Sequence, residues 1–124
     1  EKHYGPTHLE NARILLEIGK VHFANEEMEM AEDYVTKSLK IFLNNHHPEA
    51  YIAWETLGDI YFHKLSFSHN KQENAYSLFY RNLALDYFNK AYKIAKATFV
   101  LDSPHIARIK SKIEPINLNN PNNG

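Results

Sequence analysis

The stretch "WETLGDIYF", Trp54 to Phe62, decides the fold because an earlier segment repeats its pattern. In "LLEIGKVHF", Leu15 to Phe23, the central glycine, the aliphatic residue before it and the final phenylalanine recur in the same order. Both segments place apolar residues three to four positions apart, which is the period of one face of an α-helix. The two segments therefore indicate two copies of one helical unit, with Gly19 corresponding to Gly58.

The helices that follow these segments also repeat. "AEDYVTKSLKI" (Ala31 to Ile41) returns as "ALDYFNKAYKI" (Ala84 to Ile94), at an offset of 53 residues, whereas the glycines are offset by 39. The prolines Pro6 and Pro48 lie 42 residues apart, and Pro48 and Pro104 lie 56 apart. Both comparisons differ by 14 residues. They predict a repeated helical hairpin whose second copy carries a 14-residue insert.

The chain as a whole reads as helix. Glycine is scarce, and alternating β-branched runs closed by Asn-Gly or Asp-Gly turns are missing, so the sequence predicts an all-α fold with about two and a half helical-hairpin repeats. The polar, asparagine-rich end has nothing to bury and is expected to be disordered. The predicted boundaries are a helical domain over 1–116, with repeat 1 at about 6–45, repeat 2 at about 46–100 with its insert at about 66–80, a partial third repeat at 103–114, and a tail over 117–124.

These residues carry a family resemblance. "WETLGDIY" matches the tetratricopeptide pattern W-x2-L-G-x2-Y, and Ala84 and Phe88 supply its A-x3-F. Over residues 6–113 the chain resembles tetratricopeptide repeat proteins, in particular the kinesin-light-chain type, whose hairpins open with "HP" and small residues at a 42-residue step. It departs from that type in the insert and in Glu55 and Thr56, which replace paired asparagines.

The resemblance implies a function. In tetratricopeptide proteins the first helices of the hairpins form the α-helical solenoid's concave groove, which binds an extended or helical peptide. The chain is therefore expected to be a non-enzymatic scaffold or adaptor that binds a protein or peptide partner. A terminal carboxylate is disfavoured as the ligand, because Leu16 stands where chaperone-binding members need a lysine. The implied groove positions are Arg13, Leu16, Glu17, Lys20, Phe23, Ile52, Glu55, Thr56, Asp59, Phe62 and His63.

The insert supports an alternative function. Fourteen residues make close to four helical turns, so that added helix would keep its faces in phase. Asn70 and Glu73 can form a capping box, which predicts a helix from Asn70 to about Thr98 whose first four turns project roughly 20 Å. Such an apolar ledge needs a cover, which a homodimer or another partner would supply; otherwise the insert bends over its own hairpin. The residues expected to mediate self-association are Tyr76, Phe79, Tyr80 and Leu83, with Leu78 beside them.

The eight histidines do not form a recognisable metal site. Chelation from a helix needs ligands three or four residues apart, and no histidine pair has this spacing. Adjacent His46 and His47 would diverge. There is no cysteine, no nucleophile elbow and no phosphate-binding glycine loop, so we expect neither a metal, nor a cofactor, nor an enzymatic activity.

His47 has a simpler interpretation as the start of a helix. Pro48 suits the first helical turn, and Glu49 suits the positive end of the helix dipole. In the later copy Ser103 stands before Pro104 where His47 stands before Pro48. A helix cap can vary in this way between copies, whereas a metal ligand would not.

Charge and hydropathy exclude further classes. Fourteen basic and fifteen acidic residues nearly cancel, so there is no clustered positive charge for nucleic acid or an anionic membrane. No apolar run approaches the roughly 20 residues that span a bilayer. A small domain without cysteine is expected in the cytoplasm, and a chain that opens on Glu1 is expected to be part of a longer protein.

Overall fold

A computed structural model describes residues 5–68 and 75–118 of the chain. Within these two ranges the chain forms α-helices and no strand, which confirms the all-α prediction. None of the helices described there is long and apolar enough to cross a membrane. The helices are α1 (Gly5–Ala24), α2 (Met28–Asn44), α3 (Ala50–Ser68), α4 (Ala75–Thr98) and α5 (Pro104–Leu118).

The helices pack in chain order. The first hairpin is α1 against α2, the second is α3 against α4, and α5 packs on α4. Between the hairpins, α2 contacts α3 and α1 contacts α3. Side chains of α5 bond to α3. As a result α3 contacts each of the other four helices.

A glycine lets the two helices of each hairpin approach closely. A methyl group at Gly58 would overlap three ring carbons of Phe88, and one at Gly19 would lie 2.6 Å from Cγ2 of Val35. Val35 and Phe88 are buried at corresponding positions of α2 and α4. The repeated pattern in the sequence therefore corresponds to a repeated contact between a glycine and a large side chain.

The two hairpins are joined through α2 and α3. The hydroxyl of Tyr61 donates a hydrogen bond of 2.5 Å to the carboxylate of Glu32, and Nζ of Lys64 lies 3.3 Å from the same carboxylate. Burial, together with the adjacent Glu32, raises the pKa of Tyr61. The ring of Tyr61 also contacts Tyr87 of α4 at a centroid distance of 5.7 Å. A polar bridge and an aromatic contact thus meet at one residue of α3.

The connections explain where the helices begin and end. Glu26 and His46 adopt left-handed backbone angles, with φ values of 63° and 50°, which terminate α1 and α2. Before Pro48, Nδ1 of His47 accepts a hydrogen bond of 3.1 Å from the backbone N–H of Glu49. Before Pro104, the hydroxyl of Ser103 accepts the equivalent bond from the residue after the proline, also at 3.1 Å. His47 and Ser103 thus accept equivalent backbone bonds, although α3 itself begins at Ala50, two residues after the proline that was expected in its first turn.

Both helices of the second hairpin are longer than their counterparts in the first. Past its central glycine, α3 continues five residues further than α1 does, and α4 starts six residues earlier relative to Ala84 than α2 does relative to Ala31. The start predicted for α4 at Asn70 lies outside the described residues, while its predicted end at Thr98 agrees with the structure.

The added turns of α4 do not project alone. The rings of Tyr61 and Tyr80 lie 5.9 Å apart, and Leu65 of α3 and Ser77 of α4 are both buried. The apolar pattern of α3 continues through Leu65, and this is why α3 lengthens together with α4. The ledge expected from the sequence is therefore paired along one side with α3.

The last helix is longer than the sequence indicated. α5 ends at Leu118, past the predicted end of the third repeat at 114 and two residues into the predicted tail. Pro115 lies inside it, and Ile116 beyond the proline is only 3 % exposed. Burial of Ile116 offsets the hydrogen bond that the proline removes. Residues 119–124 of the predicted tail lie outside the described residues.

Candidate peptide-binding groove

Five of the side chains expected in the groove line one concavity of about 340 Å³. Lys20 comes from α1 and the other four come from α3. The opposite wall is formed by α5, through His105 and Arg108. Three helices that are distant in sequence therefore meet around a single depression. Its lining is Lys20, Tyr51, Ile52, Glu55, Thr56, Asp59, His105 and Arg108.

An ion cluster forms the floor of this groove. Glu55 accepts hydrogen bonds from Nε and Nη2 of Arg108, at 2.9 and 2.8 Å, and from Nζ of Lys112 at 2.7 Å. The same Nζ lies 3.0 and 3.1 Å from the two carboxylate oxygens of Asp59. The Glu55 side chain is 7 % exposed, whereas those of Arg108 and Lys112 are 41 % and 30 % exposed. The acid is thus buried beneath bases that reach solvent.

The two acids of the cluster have opposite pKa shifts. Burial by itself raises the pKa of Glu55, but the hydrogen bonds from Arg108 and Lys112 outweigh it and hold that pKa below its ordinary value. At Asp59 burial prevails over the attraction of Lys112, and the pKa is raised. The hydrogen bonds to Glu55 and the attraction of Asp59 outweigh burial at Lys112 and raise its pKa. Glu55 is therefore the well-compensated anion and Asp59 the poorly compensated one.

A second concavity adjoins the first. It has a volume of about 320 Å³ and lies between α3 and α5. Asp59 lines both concavities, so the two adjoin at this residue. We call this second concavity the notch. It is lined by Asp59, Phe62, Phe88, Ser111, Lys112 and Pro115.

Some of the residues expected in the groove pair with other residues. Arg13 binds Glu49 through two hydrogen bonds of 3.0 Å, which join the start of the second hairpin to α1. This contact raises the pKa of Arg13 and lowers that of Glu49. Glu17 and Lys20 form a 3.7 Å ion pair within α1. Of these four charged residues, Lys20 lines the groove and the other three do not.

The remaining expected positions are less available to a ligand. The hydroxyl of Thr56 donates to the carbonyl of Ile52 at 2.8 Å. Phe23 and His63 meet edge to face, with ring centroids 6.0 Å apart. Leu16, which the register assigned to the groove, is 3 % exposed and belongs to the hydrophobic core. That assignment is corrected here: Leu16 packs in the core because it lies on the buried face of α1.

Sequence reasoning missed the contribution of α5. Arg108 and Lys112 are four residues apart, so they lie on the same face of a helix. Their pairing with Glu55 spans 53 and 57 residues and depends on how α5 packs. The predicted partial third repeat contained a usable signal, because its first helix would lie beside α3 and turn this basic pair towards Glu55.

The residues expected to mediate self-association divide into two groups. Tyr76 and Phe79 are 69 % and 56 % exposed on α4. Tyr80 and Leu83 are partly buried and pack against the core. Only the first pair is positioned to meet another molecule, and these two side chains lie three residues apart on one helix face.

No group of three or more histidine, aspartate or glutamate residues that could hold a metal ion occurs in the described part of the chain. Comparison with protein-family models, with curated proteins and with solved structures found no match. The family resemblance therefore rests on the motif residues themselves.

Proposed function

We propose that this chain is a tetratricopeptide-type interaction module that binds a peptide or helix of a partner protein in its concave groove. One observation carries the proposal: Lys20, Ile52 and Asp59, assigned to a groove by the repeat register, line one concavity together with α5. The glycine contacts at Gly19 and Gly58, with their matched partners in α2 and α4, support the repeat interpretation.

The chemistry of the groove suits recognition and not catalysis. Its acids and bases neutralise one another, since Glu55 and Asp59 face Arg108 and Lys112. Apolar surface from Ile52 and Phe62 lies beside these charges. Such a mixture of apolar surface and a few placed polar groups is typical of binding sites. We infer that the module is a scaffold or adaptor with no chemistry of its own.

A variant with an obstructed groove tests the proposal. Lys20→Glu combined with Ile52→Arg changes two residues on the lining of the groove, one from each hairpin. We expect proteins that bind the wild-type chain to be lost from the double variant. Lys40→Glu is the matched control, because Lys40 is exposed on α2, away from the groove. Circular dichroism verifies that both variants are folded.

Two outcomes would contradict the assignment of the groove. If the double variant is folded and retains every partner of the wild type, binding does not occur in this groove. If Lys40→Glu removes the same partners as the double variant, the loss reflects a general charge effect. Either result would overturn the assignment of the groove.

The exposed aromatic pair on α4 supports a second candidate, a self-associating assembly element. Tyr76 and Phe79 form an exposed apolar surface on α4. Monomeric proteins rarely expose large continuous apolar patches, so such a surface is a candidate for contact with another molecule. Sedimentation of the wild type and of Tyr76→Ser/Phe79→Ser tests this candidate. We expect concentration-dependent association that the double variant abolishes; a wild-type monomer at all concentrations contradicts it.

A further inference from the structure

The acids of the groove differ in how well they are compensated. Glu55 receives three charge-assisted hydrogen bonds from two cations, whereas both oxygens of Asp59 depend on one ammonium group. That ammonium is also bonded to Glu55 at 2.7 Å. The Asp59 side chain keeps 30 % of its surface exposed, so an incoming group can reach it. A carboxylate has room for about four hydrogen bonds, and Asp59 accepts two in this cluster.

The notch beside Asp59 is mainly apolar. Phe88 forms part of its lining, Phe62 stands 42 % exposed at its side, and Pro115 contributes from α5. Its volume of about 320 Å³ is at the lower end of the range for ligand pockets, roughly 300–1,000 Å³. This size and composition suit a single large apolar side chain, such as leucine or phenylalanine.

We propose that the groove binds a peptide segment in which a hydrophobic side chain fills the notch and a neighbouring lysine or arginine pairs with Asp59. This inference rests on the proposed peptide-binding function and specifies its ligand. The two features are adjacent because Asp59 lines the notch, so the basic residue lies within about two positions of the anchor.

Charge complementarity selects a basic ligand residue over an acidic one. Arg108 is engaged by Glu55 in a bidentate pair, and Lys112 is engaged by both acids. Arg108 is bonded to Glu55 through Nε and Nη2 and lies 2.9 Å from Nδ1 of His105 through Nη1, so an acidic ligand residue would compete with groups already bonded to this cation. A basic residue instead adds a second cation to Asp59, whose raised pKa reflects incomplete compensation.

Selection from a random peptide library displayed on phage tests the ligand. The purified 124-residue chain is immobilised, and enriched sequences are compared between the wild type and three variants. Asp59→Asn keeps the shape of the side chain but removes its charge. Ser111→Trp places a large side chain at the notch from an exposed position of α5. Lys40→Glu on α2 again serves as the control, and each variant is first shown to be folded.

We expect wild-type peptides to share a leucine, phenylalanine or methionine within two residues of a lysine or arginine. Asp59→Asn should keep the hydrophobic preference and lose the basic one, while Ser111→Trp should lose the hydrophobic anchor. For one selected peptide, we expect Asp59→Asn to weaken binding about tenfold in fluorescence polarisation. The difference should shrink as salt is raised, because the pair is partly exposed.

Four outcomes would contradict the proposals. Enriched peptides without a basic residue, or a basic preference that survives Asp59→Asn, overturn the inference while leaving peptide binding in place. A hydrophobic preference that survives Ser111→Trp places the anchor elsewhere and also overturns it. Failure of the folded wild type to enrich any peptide contradicts the proposed function itself.

Discussion

The two hairpins have a similar arrangement of helices but different side chains at corresponding positions. In the first hairpin Gly19 faces Val35, and in the second Gly58 faces the larger Phe88. The serine at position 38 of α2 corresponds to Ala91 of α4, and both are fully buried. The comparison shows that one backbone arrangement accommodates different side chains, provided that the glycine leaves space for the residue opposite.

The hairpins also differ in what surrounds them. The second hairpin contacts α2 on one side and α5 on the other, while the main contact of the first hairpin is with α3. Both concavities lie along α3, and its charged side chains meet those of α5. The second hairpin therefore has neighbours on both sides and supplies α3 to the candidate site, so changes to it should have the larger effects.

The largest contrast is expected from removing the side chains opposite the glycines. Phe88→Ala should lower the free energy of unfolding by about 4 kcal/mol, because it empties a large buried volume. Val35→Ala should lower it by about 2 kcal/mol, since fewer buried carbons are lost. Urea denaturation of both variants measures the difference. Equal losses would contradict the interpretation that the second hairpin is anchored by the larger contact.

Replacing the glycines by alanine should also destabilise the second hairpin more than the first, but by smaller amounts. Overlap with the buried ring of Phe88 costs about 3 kcal/mol, and alanine in a helix regains about 1 kcal/mol, so Gly58→Ala should destabilise by about 2 kcal/mol. The methyl group of Gly19→Ala would meet Cγ2 of Val35 at 2.6 Å and two backbone atoms of α2 at 3.3 Å, a smaller overlap than at Gly58, and should destabilise by about 1 kcal/mol.

A second substitution separates the overlap with the Phe88 ring from other effects of alanine at position 58. In the background of Phe88→Leu, Gly58→Ala should destabilise less than it does in the wild type, because the smaller side chain can give way. A double-mutant cycle in urea reports this coupling. Strict additivity of the two substitutions would show that the ring is not what excludes a methyl group at position 58.

The sequence predicted the parts of this fold that depend on local pattern. The helical period and the correspondence of Gly19 with Gly58 could be predicted because each hairpin repeats them within a short span. The cap at His47 could be inferred for the same reason, by comparison with Ser103. The sequence predicts a 14-residue insert, but not how the extra length of the second hairpin divides between α3 and α4, because that depends on packing between the two helices.

Only part of the candidate site could be predicted from the sequence. The α1 and α3 sides of the groove, with Lys20, Ile52 and Asp59, follow from the helical register. The α5 side does not, because Arg108 and Lys112 reach Glu55 across more than fifty residues of chain. The opposite pKa shifts of Glu55 and Asp59 could not be predicted either, since they depend on burial and on which acid receives more hydrogen bonds.

Glu55→Gln tests the compensated acid. At neutral pH the free energy of unfolding of the variant should be about 1.5 kcal/mol lower than that of the wild type. This loss is smaller than for a fully buried ion pair, because Arg108 and Lys112 can turn to solvent. The folded-state pKa of Glu55 is lowered, so its contribution is present above the unfolded value of about 4.5 and is lost as the pH falls through the folded value. The difference between wild type and variant should therefore disappear in acid.

Ser38→Ala gives the first hairpin the residue that the second has at this position. The buried hydroxyl of Ser38 donates a hydrogen bond of 2.7 Å to the carbonyl of Ala12, which joins α2 to α1. Loss of this bond should destabilise the chain by about 1 kcal/mol. Thermal unfolding measures the change, and Ser66→Ala on the exposed end of α3 is the matched control. An unchanged stability would show that the hydrogen bond of Ser38 does not stabilise the first hairpin.

Asp59→Asn should have the smallest effect on stability and the opposite dependence on pH from Glu55→Gln. The pKa of Asp59 is raised in the folded chain, so its contribution is fully present below the unfolded value of about 3.8 and is lost as the pH rises through the folded value. An asparagine does not titrate; the variant should therefore gain stability relative to the wild type as the pH rises over this range. At neutral pH the two should agree within about 0.5 kcal/mol. Urea denaturation between pH 3 and 7 measures both trends. A large loss at neutral pH would mean that the Lys112 contact outweighs the burial of Asp59, and the acid would then be a structural anchor and not a residue poised to receive a ligand's cation.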